Sequence, residues 1–143
     1  MKDIKPKMQL AAVREATIMS TVDHPNIVRF YTSFLENDCL YILMEHAQKG
    51  DLYKMLREQR SKKKYLSEKD LWDYAYQICK GVAHLHANNI MHRDIKCLNI
   101  FLSDQKTIKL GDMGVSKVAP LGLLAQGTRV GTPLYLAPEL VTA

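Results

Sequence analysis

Asp94, Lys96 and Asn99 fall within six residues of I-M-H-R-D-I-K-C-L-N-I-F-L, the stretch from Ile90 to Leu102. They set an acid, a cation and a carboxamide beside an apolar segment, Ile100-Phe101-Leu102. A second acid, Asp112, follows in Lys109-Leu110-Gly111-Asp112-Met113-Gly114, past a turn at Ser103-Asp104-Gln105-Lys106. Two carboxylates at the ends of short strands, with a lysine and an amide between them, suit the metal-assisted transfer of a highly charged group.

Such groups need elements to hold them. The alanine-rich run from Met8 to Ser20 reads as a helix, with Ala11, Glu15, Ile18 and Met19 on one side, so that a carboxylate sits on an apolar face and wants a partner. Asp23-His24-Pro25-Asn26 ends it. Two strand-like runs follow, Ile27 to Leu35 and Cys39 to Glu45, joined by the turn residues Glu36-Asn37-Asp38. The second is nearly all apolar and reads as a buried strand emptying into a polar connector, the mark of a change of layer or lobe.

Past the connector, Asp51 to Arg60 reads as a short helix with Leu52, Met55 and Leu56 inward. A longer helix starts at Ser67, an N-cap with Asp70 at N3 and Leu66 and Leu71 as a hydrophobic staple. Leu71, Ala75, Ile78, Val82 and Leu85 line its expected inner face, and Asn88-Asn89 marks its end. His84 and His86 are two apart and point in different directions, so they form no helical metal-ligand pair. Ile100 to Leu102 and Thr107 to Leu110 read as a small hairpin. Val115 to Val130 has no steady period and reads as a loop carrying apolar Leu121, Leu123 and Leu124.

The 143 residues suffice for one hydrophobic core, and 47% hydrophobic with 24% charged residues is an ordinary globular composition. No apolar run approaches the roughly 20 residues of a membrane span, and Met1 to Lys7 lacks the apolar centre of a secretory signal. Three widely spaced cysteines indicate neither a disulfide framework nor a zinc site. A reducing, cytoplasmic setting is expected, with the nucleus or cytoskeleton as alternatives. The formal charge of +5 is concentrated in part between Arg57 and Lys64, read as a solvated face and not as a nucleic-acid site.

His92, Arg93, Asp94, Lys96 and Asn99 form H-R-D-x-K-x-x-N. Asp112-Met113-Gly114 stands where D-F-G is usual, and Ala137-Pro138-Glu139 follows. In this order and spacing the chain resembles the protein kinases. Leu98 to Leu102, Lys109 to Asp112 and Val130-Gly131-Thr132-Pro133 resemble the NIMA-related branch of serine/threonine kinases.

The resemblance implies an α+β, bilobal protein-kinase-like fold, with 1–45 as the remainder of a small lobe, 46–50 a hinge and 51–143 the start of a large lobe. It implies ATP and Mg²⁺ as cofactors, a protein substrate with Ser or Thr, and a regulatory protein partner. Asp94 would orient the substrate hydroxyl and accept its proton, Lys96 would offset charge on the phosphoryl group, and Asn99 and Asp112 would hold Mg²⁺. Glu15 would pair with the phosphate-anchoring lysine, for which Lys2 is the candidate. Lys2 lies only 13 residues before Glu15, shorter than the family's usual separation, and a solvated terminal lysine is the other reading.

By the same resemblance Met44 is a gatekeeper, Glu45 to Ala47 the segment whose backbone meets adenine, Asp51 the ribose contact and Phe101 the residue beneath the adenine ring. Met19, Phe30, His92 and Met113 match a stacked apolar column. Thr132 would brace the catalytic loop and shape the substrate groove, and Thr128 would be an activation-loop phosphosite received by Arg93. Met113 in place of phenylalanine keeps an unbranched apolar filler.

Two departures qualify the expectation. The 143 residues contain no glycine-rich phosphate loop, and the large-lobe helices that would follow Glu139 are not among them. Leu71, Ile78 and Leu85 are then expected to lose cover, leaving apolar surface prone to aggregation. Two functions remain: the central piece of an active serine/threonine kinase, or a catalytically dead kinase-like chain that acts by binding partners or nucleotide. A metal-dependent hydrolase would have the acids but leaves Ala137-Pro138-Glu139 unexplained.

Overall fold

The computed structural model describes residues 13, 16–37, 39–103, 106–113, 116–118 and 131–141. The first helix, α1, is described over residues 16–20. It buries Ala16 and Met19, and its last turn frays where the Ser20 and Thr21 hydroxyls donate to the Thr17 and Ile18 carbonyls at 2.8 Å.

The hairpin β1 (Phe30–Glu36) and β2 (Cys39–Met44) turns at Asn37, which takes a positive φ of 49°, as asparagine tolerates. β1 starts three residues later than the expected Ile27. Ile27 and Val28 pair instead with Leu110, Val28 N–H donating to Leu110 O at 2.8 Å. β2 is also not the buried strand its apolar run suggested. Cys39, Tyr41, Leu43 and Met44 are exposed because, among the described residues, the sheet has only these two strands.

α2 (Leu52–Ser61) is capped by Asp51, whose carboxylate accepts from Lys54 N at 2.7 Å. α3 (Glu68–Ala87) starts as expected. Ser67 Oγ accepts from Asp70 N at 3.1 Å and donates to Asp70 Oδ2 at 2.7 Å, a reciprocal cap.

The inner face of α3, however, is turned from the expected one. Tyr74, Gly81 and Leu85 are buried, while Leu71 is 52% exposed and Ala75 is also exposed. Gly81 explains the rotation. A Cβ there would lie 2.9 Å from both Asn26 O and Leu110 Cδ1, so only glycine lets the helix approach this closely. Leu85 does not lose its cover, being fully buried, and Ile78 is half-buried against the core. Of the three expected losses, only Leu71 is exposed.

β3 (Ile90–Met91) pairs with β6 (Lys117–Val118), and β4 (Ile100–Leu102) with β5 (Ile108–Leu110), each antiparallel. Met19, Leu52, Leu85, Ile90, Ile108, Leu110 and Met113 belong to one core that α1, α2, α3 and the short strands share. Asn26 locks the layers: its Nδ2 donates to Ile108 O at 2.9 Å and to Gln77 Oε1 at 3.1 Å. The last described residues form a 3-10 turn, Pro133–Tyr135, and α4 (Pro138–Val141). No helix among the described residues is long and apolar enough to cross a membrane.

Candidate active site

Two backbone positions beside the site are unusual, one between β3 and β4 and one just past β5. Arg93 has φ 65° and Asp112 φ 58°, a region that costs about 1–3 kcal/mol for a residue with a side chain. His92, the residue before Arg93, links the two positions by bonding to the residue before Asp112. It is buried, and because the Gly111 carbonyl only accepts, Nε2 carries the proton across 3.0 Å, leaving Nδ1 to face Asp94 N–H at 3.4 Å. Burial holds this imidazole below its ordinary pKa, partly offset by the bond to Gly111.

Asp94 is the hub. Its Oδ2 meets Lys96 Nζ at 2.6 Å and accepts from Asn99 Nδ2 at 3.0 Å; Oδ1 accepts from Thr132 N at 2.9 Å and Thr132 Oγ1 at 2.8 Å. Lys96 Nζ also reaches Thr132 Oγ1 at 2.7 Å. Burial pushes the Asp94 carboxyl up, but the bonds from Lys96 and Thr132 outweigh it and hold the group below its ordinary pKa. A buried lysine and carboxylate survive here because each is hydrogen-bonded as well as paired. Their side chains are only 17% and 10% exposed.

Asn99 is buried at the end of a 3-10 turn, Cys97–Asn99, and its Nδ2 donates to Asp94 O at 2.9 Å as well. That commits the amide nitrogen to Asp94 and turns the amide oxygen elsewhere. Gly111 N–H donates to Asn99 O at 3.0 Å, just beyond the ladder pair Ile100 and Leu110, so Asp112 is the residue next to that link. A carboxylate and an amide oxygen are hard donors suited to Mg²⁺. No group of three or more His, Cys, Asp or Glu able to hold a metal occurs among the described residues. One or two protein oxygens completed by phosphate and water is the ordinary way Mg²⁺ is bound, so the donor set fits it.

The connector residues lie at the other edge. Met44 is exposed, Glu45 N–H donates to Arg29 O at 2.8 Å, and Ala47 O accepts from Gly50 N at 3.1 Å. Asp51 spends one carboxylate oxygen on the α2 cap. An antiparallel bridge joins Asp51 to Phe101, which brings the connector onto β4, and Phe101 packs so tightly on Gly111 that a Cβ there would be 2.7 Å away. Met19 and Met113 are in the core with Phe30 against it. Glu15, Lys2 and Thr128 lie outside the described residues.

Sequence reading missed the ion pair of Glu45 Oε2 with Lys109 Nζ at 2.9 Å, which ties the connector to β5. It also missed Asn26 and Gln77, whose signals were a polar residue after a helix break and one on an apolar face. Gly81, a glycine inside a strong helical pattern, was the legible clue to the close helix approach.

The chain matches the family model described as protein kinase domain over residues 1–143, and it belongs to that family. More narrowly, it is a serine/threonine kinase sequence resembling the NIMA-related kinases, with an α+β protein-kinase-like fold. It is 39% identical, over 97% of its length, to the probable serine/threonine-protein kinase nek3 of Dictyostelium discoideum. It is 41% identical over 89% of its length to serine/threonine-protein kinase Nek1 of Mus musculus, and 41% over 91% to Nek5 of Homo sapiens. The chain spans 13%, 10% and 18% of those proteins' own lengths. Kinase membership implies ATP, Mg²⁺ and a protein substrate in general terms.

Proposed function

We propose that the Asp94 network is the transfer centre of a serine/threonine kinase, and that the polypeptide of these 143 residues by itself binds nucleotide or partner proteins without transferring phosphate. In this reading 1–45, 46–50 and 51–143 are small lobe, hinge and large lobe. The observation that carries the first half is the convergence of Lys96, Asn99 and Thr132 on one carboxylate whose lowered pKa keeps it ionised.

Asp94 would take the hydrogen bond of a substrate Ser or Thr hydroxyl and accept its proton as the oxygen attacks the terminal phosphoryl group of ATP. Lys96 would stand beside the transferring group and offset its charge, while Thr132 keeps both side chains in place and borders the substrate groove. Asn99 Oδ1 and the Asp112 carboxylate would hold Mg²⁺, which when bound with ATP offsets phosphate charge. Adenine would meet the Glu45 carbonyl and the Ala47 N–H at the connector, with Met44 behind, Phe101 beneath and Asp51 near the ribose. Lys2 and Glu15 would anchor phosphate, and phosphorylated Thr128 would engage Arg93.

The second half rests on two observations. No G-x-G-x-x-G occurs in the 143 residues, so the phosphates lack their usual backbone cradle. The hairpin also presents Phe34 stacked on Tyr41 at 5.1 Å, with Leu43 two residues further along the same side of β2, all three exposed, an apolar face suited to a partner.

Two assays on purified protein test both halves: saturable binding of a fluorescent ATP analogue with Mg²⁺, and transfer of labelled phosphate to a Ser/Thr protein. The 143-residue chain should bind and not transfer. A chimera with the glycine-rich strands of a NIMA-related relative placed ahead of it should transfer. A folded chimera with no transfer would sink the first half, and transfer by the chain alone would sink the second.

A further inference from the structure

A groove of about 260 Å³ runs between α2 and the turn joining β4 to β5, and none of its lining residues belongs to the Asp94 network. Lys49, Lys54 and Lys106 surround a floor of Met55 and Leu102, with Glu58 the only acid among the described residues of its wall. The scaffold is tied down: Lys49 N–H donates to Leu102 O at 3.1 Å and Leu102 N–H to Gly50 O at 2.8 Å. Along α2 and past its end the charge continues through Arg57, Arg60 and Lys62 to Lys64, all exposed. Among the described residues, neither Lys49 nor any cation from Lys54 to Lys64 is in an ion pair. Lys106 pairs with Asp70 at 3.1 Å, so Lys49 and Lys54 supply most of the groove's positive field.

Two of these cations sit where local rules would place other residues. Lys54 is at N3 of α2, a position that favours glutamate because of the helix dipole, and the first turn of α2 holds no acid. Lys63, with φ 51°, is in the left-handed region just past the helix end, where glycine is the usual choice. Its neighbours are fixed by bonds from Lys63 N to Arg60 O at 3.0 Å and Lys64 N to Gln59 O at 2.9 Å. Two violations that both add positive charge to one surface point to a use for that charge.

We infer that this groove and the basic run beyond it dock an acidic segment of a partner protein, one that alternates Asp or Glu with an apolar residue for the Met55 and Leu102 floor. A small-molecule site would be larger, roughly 300 Å³ or more. Nucleic acid fits less well. The exposed rings here, Tyr53 and Tyr65, stand at opposite ends of α2 and not in the close succession on which single strands are bound, and Glu58 sits among the cations. The inference concerns a surface apart from the transfer centre and holds whether or not the chain transfers phosphate.

The test is fluorescence anisotropy of a labelled Glu-Leu-Glu-Leu-Glu-Leu-Glu-Glu peptide titrated with the 143-residue chain at low and at physiological salt. Saturable binding is expected, weakening with salt, with about tenfold loss in the variant Lys54→Glu, Lys62→Glu, Lys63→Glu. Lys54→Glu improves the α2 N-terminus, so that single variant serves if the triple fails to fold, with a smaller loss in the same direction. No saturable binding, or equal affinity for parent and folded variant, overturns the proposal. Tighter binding of oligo-dT, or of vesicles of anionic phospholipid, overturns the choice of a protein partner.

Discussion

Gly131 and Arg93 approach so closely that a Cβ on Gly131 would lie 2.8 Å from the Arg93 carbonyl oxygen. Gly131 also has φ 123°, a conformation side chains avoid. Gly131→Ala should therefore lose about 1–3 kcal/mol of stability, read as a lower urea midpoint with an unchanged slope. A midpoint equal to the parent's would mean that the turn relaxes freely and does not position Thr132.

Gly81→Ala tests the packing of α3 on β5. Alanine normally gains about 1 kcal/mol over glycine inside a helix. Here its methyl meets a backbone oxygen, and overpacking costs about 1–3 kcal/mol, so the net sign should be destabilising. A raised thermal midpoint would refute the close approach.

Thr132→Val removes one hydroxyl that serves both Asp94 Oδ1 and Lys96 Nζ, at 2.8 and 2.7 Å. Leaving such partly buried partners short of a bond should cost about 1–3 kcal/mol, and Thr132→Ser should restore most of it. A Thr132→Val variant as stable as the parent would show that the hydroxyl does not matter.

Asp94→Asn, made in the chimera that carries a glycine-rich loop, should lower phosphoryl transfer by about 10²–10⁴-fold. Binding of the fluorescent nucleotide should stay near the parent's, because the proposed proton acceptor touches the substrate hydroxyl and not adenine. Equal transfer rates for mutant and parent would end the assignment of Asp94.

The chain should lose stability as pH falls below about 6.5, because His92 and His24 both have lowered pKa values. Burial leads in each case, joined at His24 by the charges of His84 and Lys80. The unfolded chain binds these protons at its ordinary histidine pKa while the folded one resists them. Their stabilising effect is thus complete above that value and is lost as pH drops to the folded values. Urea midpoints at pH 7.5 and 5.5 should differ in that direction, and His24→Asn should narrow the gap. Flat midpoints would count against the buried His92 and the half-buried His24 as the groups responsible.

Much of this architecture was legible because it is written in local rules. Ser67 with Asp70, Asp51 before Leu52 and the apolar run Ile100 to Leu102 each encode their element within a few neighbours. The motif around Asp94 was legible for the same reason, since Asp94, Lys96 and Asn99 are sequence neighbours. What escaped depended on distant chain. The inner face of α3 turned on the meeting of Gly81 with Asn26, the short first strand on Leu110 taking the partners of Ile27 and Val28, and the exposure of β2 on how many strands flank it. None of these leaves a period in the sequence.

The bonds from Thr132 to Asp94 span 38 residues of chain, whereas those from Lys96 and Asn99 span two and five. Closing the longer loop carries an entropic cost that grows with the logarithm of its length, so the local part of the network is free to assemble before the distant part. Within this network the bracing of Asp94 by Thr132 thus carries the larger closure cost. The carboxylate is set by its near neighbours in sequence and aimed by a far one.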